Sequence, residues 1–378
     1  MAWPVKHVAP QSRLTVFAKV VTQKVSKVRW QPGNEAVCRV PDVFATGSWD
    51  DEAKNRVSLW KLGDTTESVS AKHNYADPRL LCSINHPGDV MDLQFLDQER
   101  LVAASSMGTV SIIRRHSSET LSIAHRWENL HRLNSETSPC TSVAFNNPDI
   151  ASVGEDGTLN LLRVDTGQRS RTYEQADCTA LNDIMFLSNS ELLTVNTFGQ
   201  LKVWDVRQET CEAVQVFSMA GSHSPLLCLD RHPMQGNVVA AGSLQGSLHI
   251  WDIRKGSLPV SILDAHKGPM WEVRFHPTVP NHLFTCSEDG SLWHWALSEQ
   301  GKRSGIHGHQ QVQSSLSDHA STPINNWVVE DPTLTNLQIT NLLPEGGLSM
   351  NSLDIFGQFL VCGSDREAVY VVSQLGVY

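Results

Sequence analysis

Hydrophobic and polar positions alternate in short runs along most of this chain, and the runs recur in a fixed order. The clearest recurring unit is a tight turn followed by a strand: Asp156-Gly157-Thr158-Leu159-Asn160-Leu161-Leu162, Phe198-Gly199-Gln200-Leu201-Lys202-Val203-Trp204, Gln245-Gly246-Ser247-Leu248-His249-Ile250-Trp251 and Asp289-Gly290-Ser291-Leu292-Trp293-His294-Trp295. In each, a large apolar residue lies five positions after the glycine. Alternation with a period of two predicts half-buried strands, and no long stretch keeps a helical period. The equivalent apolar residues are Trp60, Ile113, Leu162, Trp204, Trp251, Trp295 and Val371, spaced 42 to 53 residues apart except for a final interval of 76. Self-similarity at roughly 40–50 residues is the mark of a propeller built from four-stranded blades. The chain is therefore predicted to be all-β, a single seven-bladed β-propeller over 14–378 preceded by a flexible extension at 1–13.

A second mark fixes the register. Strands expected to line the central channel end at a proline, as in Trp30-Gln31-Pro32, Asn146-Asn147-Pro148, Arg231-His232-Pro233 and Phe275-His276-Pro277. Proline has no amide hydrogen to give a ladder, so it closes a strand. The last unit supplies only three strands (350–355, 359–364 and 367–373), whereas Leu14–Val21 precedes the first unit without a blade of its own. The N-terminal strand is predicted to complete the seventh blade, since an open edge there would invite pairing with other chains.

Three stretches fall outside the repeat. Gly63–Pro78 and His116–Pro139 are polar and are expected to be surface loops. Residues 298–326 are rich in Ser, Gln, Gly and His and nearly devoid of apolar residues, so they are expected to be a mobile insertion. The segment 327–348 is expected to fold back, either as the outer strand of blade six or as a plug on one face.

Composition narrows the function. Of 378 residues, 40% are hydrophobic and 19% charged, with a formal net charge of −10. An acidic chain without Lys/Arg runs argues against direct nucleic-acid binding, which needs a cationic surface. No uncharged apolar stretch approaches the ~20 residues of a membrane-spanning helix, so no membrane insertion is expected. Signal-peptide layout, Asn-x-Ser/Thr sequons and Cys-x-x-Cys pairs are all absent from the sequence, and the eight cysteines read as small apolar groups in a reducing, intracellular compartment.

The residues that carry chemistry are few. Trp204-Asp205 and Trp251-Asp252 are the dipeptide that names WD repeats, and blade six carries the fullest set: His266, Ser287, Asp289 and Trp295. In WD repeats such residues form a hydrogen-bonded chain from indole to hydroxyl to imidazole to carboxylate, which gives every buried donor a partner. The same residue types also make up a hydrolase triad, but a hydroxyl locked against an indole inside a blade has neither cleft nor oxyanion hole. No catalytic residue, cofactor-binding residue or metal ligand is assigned. His307 and His309 lack a third ligand at useful spacing, and phosphate-loop, dinucleotide and HExxH motifs are missing. Neither a cofactor nor a small-molecule substrate is expected, and the chain is read as a non-enzyme.

Candidate partner contacts are Arg207, Arg254, Trp271 and Trp327. Trp271 either anchors a peptide on a propeller face or packs between blades, and Trp293 is read the same way. Trp327 is either a latch on the propeller or a contact for another chain. The run Val238–Gln245 followed by Trp251-Asp252-Ile253-Arg254 resembles the WD box of substrate receptors for cullin–RING ubiquitin ligases, in which the Arg meets the ligase adaptor. Trp204-Asp205-Val206-Arg207 is a weaker copy, and Gln245 departs from the acid expected at that place. The plain alternative is that Arg254 pairs with a neighbouring carboxylate.

Several longer runs are more specific. Val25–Trp30, Phe44-Ala45-Thr46-Gly47-Ser48-Trp49-Asp50, Gly88–Phe95, Met270-Trp271-Glu272-Val273 and His282–Trp295 are similar to the nucleoporin forty-three family. That family is the small WD-repeat subunit of the Y-shaped scaffold complex of the nuclear pore. The resemblance runs from about residue 16 to near the C-terminus. It implies a non-enzymatic structural subunit at the nuclear envelope that docks on an α-solenoid nucleoporin in the short arm of the Y. It further implies parts in pore assembly and nucleocytoplasmic transport, and a place at kinetochores in mitosis.

Overall fold

The computed structural model describes residues 14–377 except 34–41, 52–53, 64–75, 209, 220–223, 298–326, 329–336 and 344–346. The extension at 1–13, the insertion at 298–326, His307 and His309 and the centre of the Gly63–Pro78 loop lie outside the described residues.

Seven four-stranded antiparallel sheets are arranged as the blades of a propeller. Each of blades two to five is one continuous stretch of chain, such as Leu181–Phe186, Glu191–Asn196, Gln200–Asp205 and Gln215–Ser218 in blade four. Blade seven contains Met350–Phe356, Phe359–Ser364 and Ala368–Ser373, and its outer strand is Thr15–Val20. The two ends of the chain meet in that sheet, with Thr15 opposite Ser373 and Val20 opposite Ala368. Blade six takes its outer strand from Leu337–Asn341, which pairs with Leu292–Leu297 across the insertion. The fold-back segment thus supplies a strand and not a plug.

His116–Pro139 is not a loop. It contains Thr120–Trp127, the outer strand of blade two, and a small hairpin, Arg132–Leu133 with Glu136–Thr137. Polar residues are compatible with a strand there because the outermost strand of a blade faces solvent on one side, and a register shift opposite Ile112 and Ile113 blurs its alternation.

The core is a set of clusters between adjacent blades. One joins Leu248, Ile250, Val273, Phe275 and Trp295 across blades five and six, and another joins Ala45, Leu59, Leu93, Leu101 and Ile113 across blades one and two. The turns that announced the repeat sit against the loops linking one blade to the next. At Gly246 φ is +83°, and a Cβ would lie 2.3 Å from the His266 carbonyl oxygen, so both the conformation and the contact require glycine.

One feature recurs in all seven blades. Each inner strand shifts register just after its first residue, at Val25/Lys27, Val90/Asp92, Cys140/Ser142, Leu181/Asp183, Leu226/Cys228, Met270/Glu272 and Met350/Ser352. A bulge of this kind re-aims the side chains beyond it. Here it carries the third residue of every inner strand to the channel wall.

Candidate interaction site at the channel

Inner strands of neighbouring blades do not pair with one another, so their amides need other acceptors. Carboxylates from the blade before supply them at five junctions. Asp92 accepts from Val143 N at 3.0 Å, Asp183 from Leu229 N at 2.8 Å, Asp230 from Phe275 N at 2.7 Å, Glu272 from Leu353 N at 3.0 Å and Asp354 from Trp30 N at 2.7 Å. Sequence reading missed this ladder. The signal was present as an acid at the third or fifth position of largely apolar inner strands, a place where burial makes an unpaired charge costly.

The cations of the channel are distributed unevenly. Arg29 reaches Glu272 at 2.8 Å and Asp92 at 3.3 Å, and Arg274 reaches Glu272 at 2.8 Å and Asp230 at 4.0 Å. Burial disfavours the charge on Glu272, but Arg29 and Arg274 overcome it and hold its carboxyl well below the ordinary range. Burial prevails at Asp183 and Asp230, which are pushed up to about 6.

The channel opens on the face that carries the glycine turns, through a cavity of about 300 Å³ lined by Met91, Leu227, Trp271, Trp49 and Asn182 among others. It continues into a second cavity of about 200 Å³, with which it shares Lys27, Thr141, Asn182, Leu227 and Trp271.

The candidate contacts are not brought together. Trp271 is half-buried at the mouth, where its indole N–H donates to Ser349 Oγ at 3.1 Å. Trp293 is also half-buried, 4.6 Å from the His266 ring. Arg207 and Arg254 stand at the opposite ends of the blades, each held by the Asp of its own Trp-Asp pair. Trp327 is a latch. It is buried in the blade-six core, edge-on to Phe275, with its indole N–H donating to Pro280 O at 2.8 Å, so it is withdrawn as a partner contact.

The blade-six network exists with one member exchanged. Trp295 Nε1 donates to Thr285 Oγ1 at 3.0 Å, and His266 Nε2 lies 2.7 Å from the same oxygen. His266 Nδ1 lies 2.8 Å from Ser291 Oγ, which donates to Asp289 at 2.5 Å. Ser287 bonds instead to the Gly268 carbonyl at 3.1 Å. The register explains the exchange. Trp295 sits opposite Leu283, so Thr285 is two residues along the same face and Ser287 is four, about 13 Å away at ~3.3 Å per residue and beyond an indole's reach. The same diagonal joins Trp60 to Thr46 and Trp204 to Thr194. Blade three repeats the inner part without a Trp, with His131 3.0 Å from both Ser152 and Asp156. These hydroxyls are closed inside blades, not presented to a cleft.

Among the described residues, no group of three or more His, Cys, Asp or Glu is placed to hold a metal ion. The seven described cysteines are free, and those at 140, 228, 286 and 362 are buried.

The WD domain, G-beta repeat family matches residues 213–252 and 257–296, which take in the outer strand of blade four, all four strands of blade five and the three inner strands of blade six to within a residue. Over 377 aligned residues the chain is 47% identical to nucleoporin Nup43 of mouse and to that of human, covering 95% of this chain and 99% of each relative. The chain belongs to the Nup43 family. The nuclear pore complex protein nup43 of Dictyostelium discoideum is more distant, 23% identical over 62% of this chain and 53% of its own length. The match to the mammalian Nup43 proteins takes in nearly the whole of both chains, far more than the two repeats that the family model matches.

Proposed function

We propose that this chain is a WD-repeat subunit of the nuclear pore complex, located at the nuclear envelope. It works there by holding partners and not by catalysis. The observation that carries the reading is the 47% identity to mammalian nucleoporins over nearly the whole of both chains. Two features of the fold support a binding role. Among the described residues the His-hydroxyl-carboxylate sets of blades three and six are enclosed within their blades, and the side chains lining the inner channel cavity are largely committed to joining blades.

Within the pore, the chain is a structural subunit of the Y-shaped scaffold, docked on an α-solenoid nucleoporin of its short arm. It contributes to pore assembly and nucleocytoplasmic transport, and it joins kinetochores in mitosis. Affinity purification of the tagged chain with quantitative mass spectrometry is expected to return the other Y subunits in near-equal amounts. Imaging should show a nuclear rim in interphase and kinetochore foci in mitosis. Absence of the Y subunits from a purification that retains the bait rejects the scaffold role.

A second reading, as a substrate receptor of a cullin–RING ubiquitin ligase, is favoured by one observation: the Arg254 side chain is 69% exposed on the propeller surface. Its bond to Asp252 matches the plain alternative of a surface ion pair. Binding of the ligase adaptor that disappears on Arg254→Ala supports the receptor role, and no binding removes it.

A further inference from the structure

Four carboxylates line the inner cavity, Asp92, Asp183, Asp230 and Glu272, against three cations, Lys27, Arg29 and Arg274. Arg29 and Arg274 serve three of the four, and among the described residues Asp183 has no cation within ion-pair distance. Asp183 shares the hydroxyl of Ser142 with Asp92, at 2.7 Å and 3.0 Å. A hydroxyl has one proton to give, so one of those two carboxylates goes without it. An independent sign of a missing donor lies in the same wall: the buried Gln94 Oε1 has no hydrogen-bond partner. Above these groups the opening is collared by Met91, Leu227 and Trp271, with one cation, Lys27, and one acid, Glu155, beside them.

We propose that the channel mouth on the glycine-turn face receives a single basic side chain, Lys or Arg, from a partner protein. Its aliphatic stem lies against Met91, Leu227 and Trp271, and its charged head pairs with Asp183. Long basic side chains bury their stems on apolar surface while the head seeks an anion, which is the order of groups met on entering this channel. A hydrophobic residue would leave the Asp183 charge unpaired, and an acidic one would add a like charge beside it. Burial and the neighbouring Asp92 raise the affinity of Asp183 for a proton, Lys27 of blade one offsets them only in part, and a cation brought within ion-pair distance relieves the same deficit. The proposal does not depend on the pore reading.

The test uses the purified full-length chain and an immobilised library of nonapeptides, random except for Arg, Lys, Leu or Glu fixed at the centre. Arg- or Lys-centred peptides are expected to be retained about tenfold more than Leu-centred ones, the scale of one charge-assisted hydrogen bond. Leu227→Arg fills the mouth from the chain itself and is expected to abolish the preference, and Asp183→Asn to reduce it to the Leu level. Leu227 is only half-buried, so its variant gives the answer if Asp183→Asn fails to fold. Arg163→Ala, at the opposite ends of the blades and paired among the described residues only with Asp149 and Asp165, is expected to leave the preference unchanged. Equal retention of Leu and Arg centres overturns the proposal. So does a basic preference that survives in Leu227→Arg, because it then belongs to the acidic surface of a chain with net charge −10. A preparation that brings down nucleoporins yet shows no preference overturns this proposal alone.

Discussion

Thr285→Val separates the observed blade-six network from the one expected from sequence. Valine keeps nearly the shape of threonine but has no hydroxyl, so Trp295 Nε1 loses its acceptor and His266 Nε2 its partner in one step. Both side chains are buried, Trp295 completely and His266 to within 7%. Leaving a buried polar group unpaired costs about 1–3 kcal/mol, so two orphans predict a loss of about 2–6 kcal/mol. At roughly 2 cal/mol/K of unfolding entropy per residue, a chain this long loses about 3–8 °C in Tm. Ser287→Ala removes the bond to the Gly268 carbonyl and the one that its hydroxyl accepts from the Asp289 amide at 3.2 Å, leaves the indole and imidazole paired, and is expected to cost about 1–2 kcal/mol. The assay is thermal and urea unfolding of the two variants beside the parent, with circular dichroism confirming a native sheet in each. If Ser287→Ala costs as much as Thr285→Val, the diagonal argument from strand register is refuted.

Three further outcomes are expected. Asp289→Ala should lose about 1–3 kcal/mol; burial works against its charge, but bonds from His266, Ser291 and the Lys267 amide hold its carboxyl well below the ordinary range, and an unchanged Tm contradicts this. Glu272→Ala strips Arg29 and Arg274 of their shared carboxylate inside the channel and should cost about 3–5 kcal/mol, read by urea unfolding; a loss under 1 kcal/mol means that water repairs the site. Two opposed groups set the pH dependence between about 4 and 6. Burial lowers His249, His282 and His294 to about 4, 4 and 3, so unfolding takes up protons on these rings as pH falls, whereas Asp183 and Asp230 titrate near 6 in the folded chain, so folding takes up protons on them, a contribution complete below the unfolded carboxyl value and lost above 6. Asp183→Asn and Asp230→Asn should therefore show a steeper rise of Tm from pH 4 to 6 than the parent, and parallel profiles contradict the assignment.

The repeat, the number of blades and their closure were legible because they rest on backbone requirements that only certain residues meet. Gly246 and Gly290 must take positive φ, and the prolines after Trp30 and Phe275 must end strands. The Thr120–Trp127 strand was not legible, because an outer strand has one solvent face and a register shift, and its pattern reads as a polar loop. Ser287 was assigned where Thr285 acts for a related reason: identifying the hydroxyl that meets the indole takes the pairing partner of Trp295, which sequence spacing within a strand does not supply. Trp327 looked available because it follows a polar stretch, yet its fate was set by Phe275 and Pro280, some fifty positions earlier. The channel acids were the largest omission. Each is one acid in a largely apolar strand, and their common role emerges only when seven bulged strands are laid side by side.

That ladder also bears on how the ring stays shut. The seam of the propeller is the pairing of Thr15–Val20 with Ala368–Ser373, an ordinary antiparallel ladder whose outer strand is exposed at alternate residues. Strand ends of this kind fray readily. Arg29, four residues into blade one, is bonded to Glu272 of blade six, Ser352 of blade seven and Asp92 of blade two, all within the channel. Asp354 of blade seven adds a bond to the Trp30 amide. A frayed seam therefore leaves blade one fastened to both neighbours and to the blade beyond, from the side that the outer strand does not reach. Of the carboxylates lining the inner cavity, three are spent on such ties through Arg29 or Arg274. Asp183 also accepts its neighbour's amide, but it has no cation of its own, and it lies beneath the mouth through which one can arrive.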